Sequence, residues 1–79
     1  MIMSKKHTNY DLLEVEQQLT VASLNARKSQ NLTQAELAHL MGTSQANISK
    51  LENGKLNPSV AFLKRFAHAC DVKLSFYLR

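Results

Sequence analysis

The 79-residue sequence has few glycines, prolines and cysteines, and it has no long apolar run. Its two glycines and one proline argue against a loop-rich or disordered chain and favour helices with short connections. The single cysteine, Cys70, excludes an internal disulfide and fits a reducing compartment, so we expect a cytoplasmic protein. No segment approaches the roughly 18 apolar residues of a membrane span, and no apolar run typical of a signal peptide follows the first residues.

Reactive side chains are equally sparse. His7, His39 and His68 are widely spaced and form no ligand-spaced cluster with Cys70, so no metal site is predicted. No nucleophile motif or paired acid and base is evident, and a chain this short has little room for a catalytic pocket beside its core. We therefore expect neither enzymatic activity nor a cofactor.

Positive charge is what the sequence has in excess. Ten Lys and Arg residues against six Asp and Glu residues give a net charge of +4. A small basic domain suits a polyanion, because each Lys or Arg near a phosphate releases condensed counterions. The charge alone also fits a basic protein that binds no nucleic acid.

Hydrophobic spacing predicts a first helix from about Tyr10 to Ser29, after a flexible arm over residues 1–8. Asn31 lies where that helix should stop, because Asn tolerates the left-handed conformation that ends many helices. The apolar residues recur at steps of three and four, which predicts one buried face made of Leu12, Val15, Leu19, Ala22 and Ala26.

Two short helices follow the first. A capping box at Thr33 and Glu36 should open the second helix, which runs to Met41 and ends at Gly42. Thr43 or Ser44 should cap the third helix, which runs to about Asn53. The residues expected to face inward are Leu37, Ala38 and Met41 on the second helix, and Ile48 and Leu51 on the third.

A fourth helix is predicted from the segment Asn57-Pro58-Ser59, with Asn or Ser as the cap and Pro58 in the first turn, to about Cys70. Its expected inward residues are Val60, Leu63, Phe66, Ala67 and Cys70. The tail from Val72 to Arg79 then alternates apolar and mostly polar residues, which is the period of a strand. The fold class is therefore all-α, a single domain over residues 9–79 with four to five helices and a short C-terminal β-strand.

The tail is predicted to be a dimer interface. A lone strand cannot satisfy its backbone hydrogen bonds, and the sequence contains no second strand. Pairing with the same strand of a second subunit would satisfy them, and would form a homodimer. The alternatives are that the strand adds to a sheet of a different protein, or that the tail is frayed. The residues on the apolar face of the strand are Val72, Leu74, Phe76 and Leu78.

The second and third helices form a helix-turn-helix, since a capped helix, a tight turn containing Gly42 and another capped helix follow one another. The third helix should expose short polar or small side chains that fit a major groove about 12 Å wide. The stretch Leu32–Ser59, LTQAELAHLMGTSQANISKLENGKLNPS, resembles the Xre/Cro/C1-type helix-turn-helix family, to which small phage repressors belong. The resemblance covers roughly Leu24 to Asp71 and implies a repressor-like fold that binds double-stranded DNA.

The resemblance also implies residue roles. Base contacts are expected from Gln45, Ala46, Ser49 and Lys50, and phosphate contacts from Gln34, Ser44, Asn47, Asn53 and Lys55. Arg27 and Glu52 match an Arg and a Glu that pair in the family and tie the first helix to the third. The alternatives are a solvated helix face for the four base-contacting residues, a simple helix-end residue for Asn53, and two unrelated surface charges for Arg27 and Glu52.

A narrower resemblance rests on the long first helix, the NPS segment before the fourth helix and the VKLSFYL tail. These features look like HigA-type antitoxins of bacterial toxin–antitoxin pairs. They imply an antitoxin that neutralises a cognate toxin protein and represses its own operon as a dimer on a palindromic operator. The alternative is a stand-alone or phage-type repressor without a toxin partner.

Overall fold

The computed structural model describes residues 8–74, with side chains from residue 15 onward. Within this range the chain forms four α-helices: α1 (Thr8–Ser29), α2 (Gln34–Met41), α3 (Gln45–Glu52) and α4 (Val60–Ala69). The prediction of an all-α helix-turn-helix domain is confirmed for this part of the chain. Residues 1–7, which hold most of the predicted arm, lie outside the described residues.

The ends of α2 and α3 are set by neighbouring residues. The Glu36 amide donates to the Thr33 hydroxyl at 3.0 Å, and the Thr33 amide donates to the Glu36 carboxylate at 2.8 Å. This reciprocal pair confirms the predicted capping box. Gly42 ends α2 with φ at 68°, and the Ser44 hydroxyl caps α3 by accepting from the Asn47 amide at 3.1 Å.

The start of α4 confirms one of the two predicted caps and corrects the predicted place of Pro58. Ser59 has extended backbone angles and its hydroxyl accepts from the Phe62 amide at 3.0 Å, which makes Ser59 the cap. Pro58 therefore precedes the helix, and the prediction that it lies in the first turn is wrong.

The core lies between α2, α3 and α4, and most of its predicted members are buried. Val60 is the exception, because it lies at the start of α4 and is 56% exposed. Phe62 takes its place, on the same face as Phe66 and Cys70 at steps of four. The buried hydrophobic residues are Leu37, Ala38, Met41, Ile48, Leu51, Phe62, Leu63, Phe66, Ala67 and Cys70.

The face that α1 turns to the core also differs from the prediction. Leu19 and Ala26 pack against the core as expected, but Val15 is 60% exposed and Ala22 is exposed. Ser23 lies between the two packing residues and is buried. Its hydroxyl donates to the Thr20 carbonyl at 2.9 Å, so the buried polar group is satisfied within its own helix.

The C-terminal strand is not seen in the described residues. Val72, Lys73 and Leu74 lie in neither helix nor strand, and the rest of the predicted strand, with Phe76 and Leu78, falls outside them. The chain leaves α4 through Asp71 with φ at 55°, and the Val72 amide donates to the Ala67 carbonyl at 2.9 Å. This backbone donor therefore closes the end of α4 and is not available to a strand partner at that position.

Candidate nucleic-acid interface

The helix-turn-helix corner is packed and closed by backbone bonds. Leu37 of α2 and Ile48 of α3 are fully buried, and the small Ala38 is also buried between the helices. The Thr43 amide donates to the Ala38 carbonyl at 2.9 Å, which ends α2 tightly. A Cβ at Gly42 would meet no atom within 4 Å, so the positive φ, and not lack of space, makes glycine the favoured residue here.

The outer face of α3 carries all four residues predicted to contact bases. Gln45, Ala46 and Lys50 are exposed and Ser49 is half-buried, while Ile48 and Leu51 turn the opposite face into the core. Residues at these spacings share one side of a helix. The structure therefore brings the four side chains together on a surface of small and polar groups, where their base contacts remain a prediction.

Two of the predicted phosphate-contacting residues, Ser44 and Asn47, lie at the amino end of α3. The Ser44 hydroxyl caps the helix, and the Asn47 side-chain amide donates to the Thr43 hydroxyl oxygen at 3.0 Å. Thr43 thus accepts from Asn47, which leaves its own proton free to be donated outward. Ser44 is exposed at the same corner.

At the other end of α3, the Asn53 side-chain amide donates to the Ser49 carbonyl at 2.8 Å and to the Ser49 hydroxyl oxygen at 3.3 Å. The Ser49 hydroxyl can therefore offer its proton toward a ligand while its oxygen faces Asn53. Lys55 is exposed just beyond the helix, and its amide donates to the Lys50 carbonyl at 2.8 Å. Lys50 and Lys55 thus provide positive charge on and beside α3.

A cluster around Glu52 joins three elements. The Arg27 guanidinium binds the Glu52 carboxylate through two hydrogen bonds, Nε to Oε2 at 2.6 Å and Nη2 to Oε1 at 3.0 Å. Arg27 also donates to the Leu32 carbonyl at 2.8 Å, and the Gln34 side chain donates to Glu52 Oε1 at 3.0 Å. The two charged side chains are only 12% and 5% exposed, so this pair fixes the carboxyl end of α3 against α1 and the start of α2.

The charges in this cluster are mutually stabilised. The hydrogen bond to Glu52 raises the pKa of Arg27 above its ordinary value, against the opposing effect of burial. Burial acts to raise the pKa of Glu52, but hydrogen bonds from Arg27 and Gln34 and the positive charges of Arg27 and Lys28 outweigh it and lower that pKa. Both groups are therefore ionised near neutral pH.

Gln34 has a second role that the sequence did not predict. We expected its side chain to contact a phosphate, but one of its amide hydrogens is directed to Glu52. The backbone at the start of α2 keeps the positive end of the helix dipole that favours an anion. Nothing in the spacing of Gln34 and Glu52, 18 residues apart, indicates this contact.

No role was predicted for Arg65, which makes a long-range contact. Its Nη1 atom donates to the carbonyl of Met41, the last residue of α2, at 3.1 Å. The two residues are 24 positions apart, and a single exposed Arg on an amphipathic helix gives no sequence signal for such a contact.

Other kinds of site receive no support from residues 8–74. No group of three or more His, Cys, Asp or Glu residues in that range could hold a metal ion. In the same range no helix combines the length and the apolar character needed to cross a membrane. Burial raises the pKa of the Cys70 thiol, which disfavours the reactive thiolate.

Comparison with known proteins agrees with this geometry. The pattern of the family described as helix-turn-helix matches residues 24–77. The competence pilus inhibition repressor of Acinetobacter baylyi is 46% identical over 54 residues, which cover 66% of this chain and 49% of that protein. The chain thus spans about half the length of the curated relative it matches, and no solved structure matches. The chain belongs to the helix-turn-helix family of DNA-binding regulators, of the Xre/Cro/C1 type.

Proposed function

We propose that the chain is a sequence-specific transcriptional repressor that reads double-stranded DNA through α3. The observation that carries this proposal is the outer face of α3, where small and polar side chains are presented on a helix held by a buried ion pair. Gln45 is suited to the N6 and N7 atoms of adenine, Ala46 to a thymine methyl group, and Lys50 to the O6 or N7 atom of guanine. Ser49 supports the same surface as a hydroxyl donor.

Phosphate contacts are proposed to position α3 without supplying specificity. Ser44 and Asn47 lie at its amino end, Asn53 and Lys55 at its carboxyl end, and the backbone beside Gln34 offers a further anion position. Repression would follow from occupancy of the operator, which requires no cofactor. The name of the Acinetobacter relative, a repressor, supports this role.

The test distinguishes residues that contact bases from residues that contact phosphates. A DNA site is first selected from a random-sequence pool with the wild-type protein, and binding to that site and to random DNA is measured by fluorescence anisotropy. Gln45→Ala should weaken binding to the selected site by roughly 1–3 kcal/mol and barely affect random DNA. Lys55→Ala should weaken both and lower the salt slope by about one unit.

Gln18→Ala is the matched control, because it makes the same substitution at an exposed position on α1. It should bind both DNAs like the wild type. Equal losses on the two DNAs for Gln45→Ala would remove it as a base reader and contradict the proposal for α3.

We also propose that the protein binds a palindromic operator as a homodimer. Val72 and Leu74 are large apolar residues left 40% and 38% exposed where the described chain ends, which supports an interface formed by residues 72–79. Two subunits would read half-sites about one helical turn apart. Sedimentation of the full chain, with and without residues 72–79, tests this interface.

An antitoxin role is a second candidate. The observation in its favour is the long first helix α1 (22 residues), on which two large apolar side chains, Val15 and Val21, are 60% and 58% exposed. A cognate toxin would be the partner protein that covers these side chains. Co-purification with the product of the adjacent gene tests it, and a DNA-binding protein that captures no such product would be a stand-alone repressor.

A further inference from the structure

Arg65 connects α4 to the helix-turn-helix corner. Its guanidinium donates to the Met41 carbonyl at 3.1 Å and lies over the Phe62 ring, with its central carbon 5.7 Å from the ring centroid. The last carbonyls of a helix have no partner within that helix, and a positive charge there also interacts favourably with the helix dipole. Arg65 thus satisfies the end of α2 from a different element.

The place of this contact matters for α3. Only Gly42, Thr43 and Ser44 separate Met41 from the first residue of α3, so the end of α2 determines where α3 begins. Gln45 and Ala46, the first two residues of α3, are proposed base readers. A small rotation at the corner would displace these two side chains, whereas the cluster around Glu52 holds the opposite end of the helix.

We propose that Arg65 is a positioning residue for DNA recognition. It fixes the end of α2, and with it the direction in which α3 enters the major groove, through its bond to Met41 and its contact with Phe62. Arg27–Glu52 and Arg65 then hold the recognition helix at its two ends. The inference rests on the proposed reading of DNA by α3.

The size of the effect follows from the exposure of the contact. Arg65 is an exposed residue, so its bond is partly screened by water and stands at the weak end of hydrogen bonds made by charged groups. Losing it lowers the fraction of molecules with a correctly placed corner, and the apparent Kd rises by the inverse of that fraction. We expect a loss of roughly three- to tenfold in affinity for the selected site.

Arg65→Gln and Lys64→Gln form a matched pair in the full chain. Each substitution removes one positive charge from adjacent exposed positions of α4, so any general electrostatic loss should be the same for both. Arg65→Gln should bind the selected site roughly three- to tenfold more weakly than Lys64→Gln. The two variants should bind random DNA equally and show the same salt slope, and Arg65→Lys should recover part of the lost affinity.

Amide hydrogen exchange at residues 42–45 in the free protein provides a second readout, independent of DNA. Exchange there should be faster in Arg65→Gln than in Lys64→Gln. Equal exchange and equal affinities would overturn the proposal. A greater loss on random DNA for Arg65→Gln would make Arg65 a phosphate contact and also overturn it, as would a variant that fails to fold.

The failure of α3 as the reading helix would look different. In that case wild type and Lys64→Gln would bind the selected site normally while Gln45→Ala lost nothing in selectivity. Arg65→Gln could also show faster exchange at residues 42–45 without any loss of affinity. The contact of Arg65 with Met41 would then stabilise the corner without positioning a DNA-reading helix, and this result would overturn the inference.

Discussion

Removing the Glu52 side chain should strongly destabilise the domain, because it breaks a largely buried ion pair. Glu52→Ala leaves the Arg27 guanidinium largely buried, with the Leu32 carbonyl as its remaining described partner. Because the two side chains are only 12% and 5% exposed, solvent screens the pair little, and breaking such a pair costs roughly 3–5 kcal/mol. A chain of 79 residues has about 4–12 kcal/mol of total stability.

Urea unfolding followed by circular dichroism measures this loss. Glu52→Ala and Arg27→Ala should each lose roughly 3–5 kcal/mol, and should melt at least about 12 °C below the wild type. The double variant Arg27→Met with Glu52→Leu removes both charges and keeps apolar volume, so it should be more stable than either single variant. Single variants as stable as the wild type would show that the two residues are not a buried pair. A double variant whose stability loss equals the sum of the two single losses would show that they act independently.

The pKa of Glu52 gives the same prediction a pH dependence. Its pKa is lowered in the folded protein, while the unfolded chain should titrate near the ordinary value of 4.5. The unfolded state therefore binds more protons below about that pH, and the stabilisation present at neutral pH is lost as pH falls through the lowered pKa. Glu52→Gln should lose less stability than the wild type between pH 7 and pH 3; an identical loss would contradict the direction of the shift.

Four further changes test the backbone and the tail. Gly42→Ala should lower the free energy of unfolding by roughly 1–2 kcal/mol through the left-handed conformation alone. Gly54→Ala should lower it more, because the added Cβ would lie 3.2 Å from the Thr20 hydroxyl oxygen. In a Thr20→Ala background, the losses measured by urea unfolding should become equal for the two substitutions. Asn31→Gly should stabilise the domain by up to about 1 kcal/mol, because Asn31 has φ at 57°, and a lower melting temperature would contradict this reason. Deleting residues 72–79 should leave the helical circular dichroism intact but give a monomer in sedimentation; a truncated protein that still dimerises would exclude the tail as the interface.

The parts of the fold that the sequence predicts well are those decided within a few residues. Thr33 and Glu36 form their capping box over a span of three positions, and Gly42 ends α2 through its own φ. Ile48 and Leu51 are buried because a helix with one apolar side can pack in only one orientation. These local decisions place the corner and the outer face of α3 before any tertiary contact is known.

The errors arise where packing decides. The prediction for α1 favoured Ala22 and Val15 because they are apolar, but the helix rotates to bury Ser23. A small residue allows close approach, and a serine can satisfy its hydroxyl on the preceding turn, so apolar spacing alone misassigns the face. Val60 was misassigned for a related reason, since the cap at Ser59 decides where α4 begins.

Long-range polar contacts were predicted only where a resemblance supplied them. Arg27 and Glu52 were paired on that basis, but the contacts of Gln34 with Glu52 and of Arg65 with Met41 join residues 18 and 24 positions apart. Each involves one side chain and one geometry, so neither leaves a periodic pattern in the sequence. The residues that hold α3 are therefore harder to predict than the residues it presents.

The distribution of charge gives a reason to expect that a single copy of this domain binds DNA weakly. On and beside α3 the proposed contacts include two Lys residues, Lys50 and Lys55, while Lys64, Arg65 and Lys73 lie on α4 or beyond it. Affinity for random DNA rises with the number of phosphates neutralised, so a reading surface with two such charges should bind weakly alone. Linking two copies makes the second half-site an intramolecular event and raises the overall affinity without new contacts. The sparse charge of α3 therefore supports the proposed operator with two half-sites, whichever surface joins the two copies.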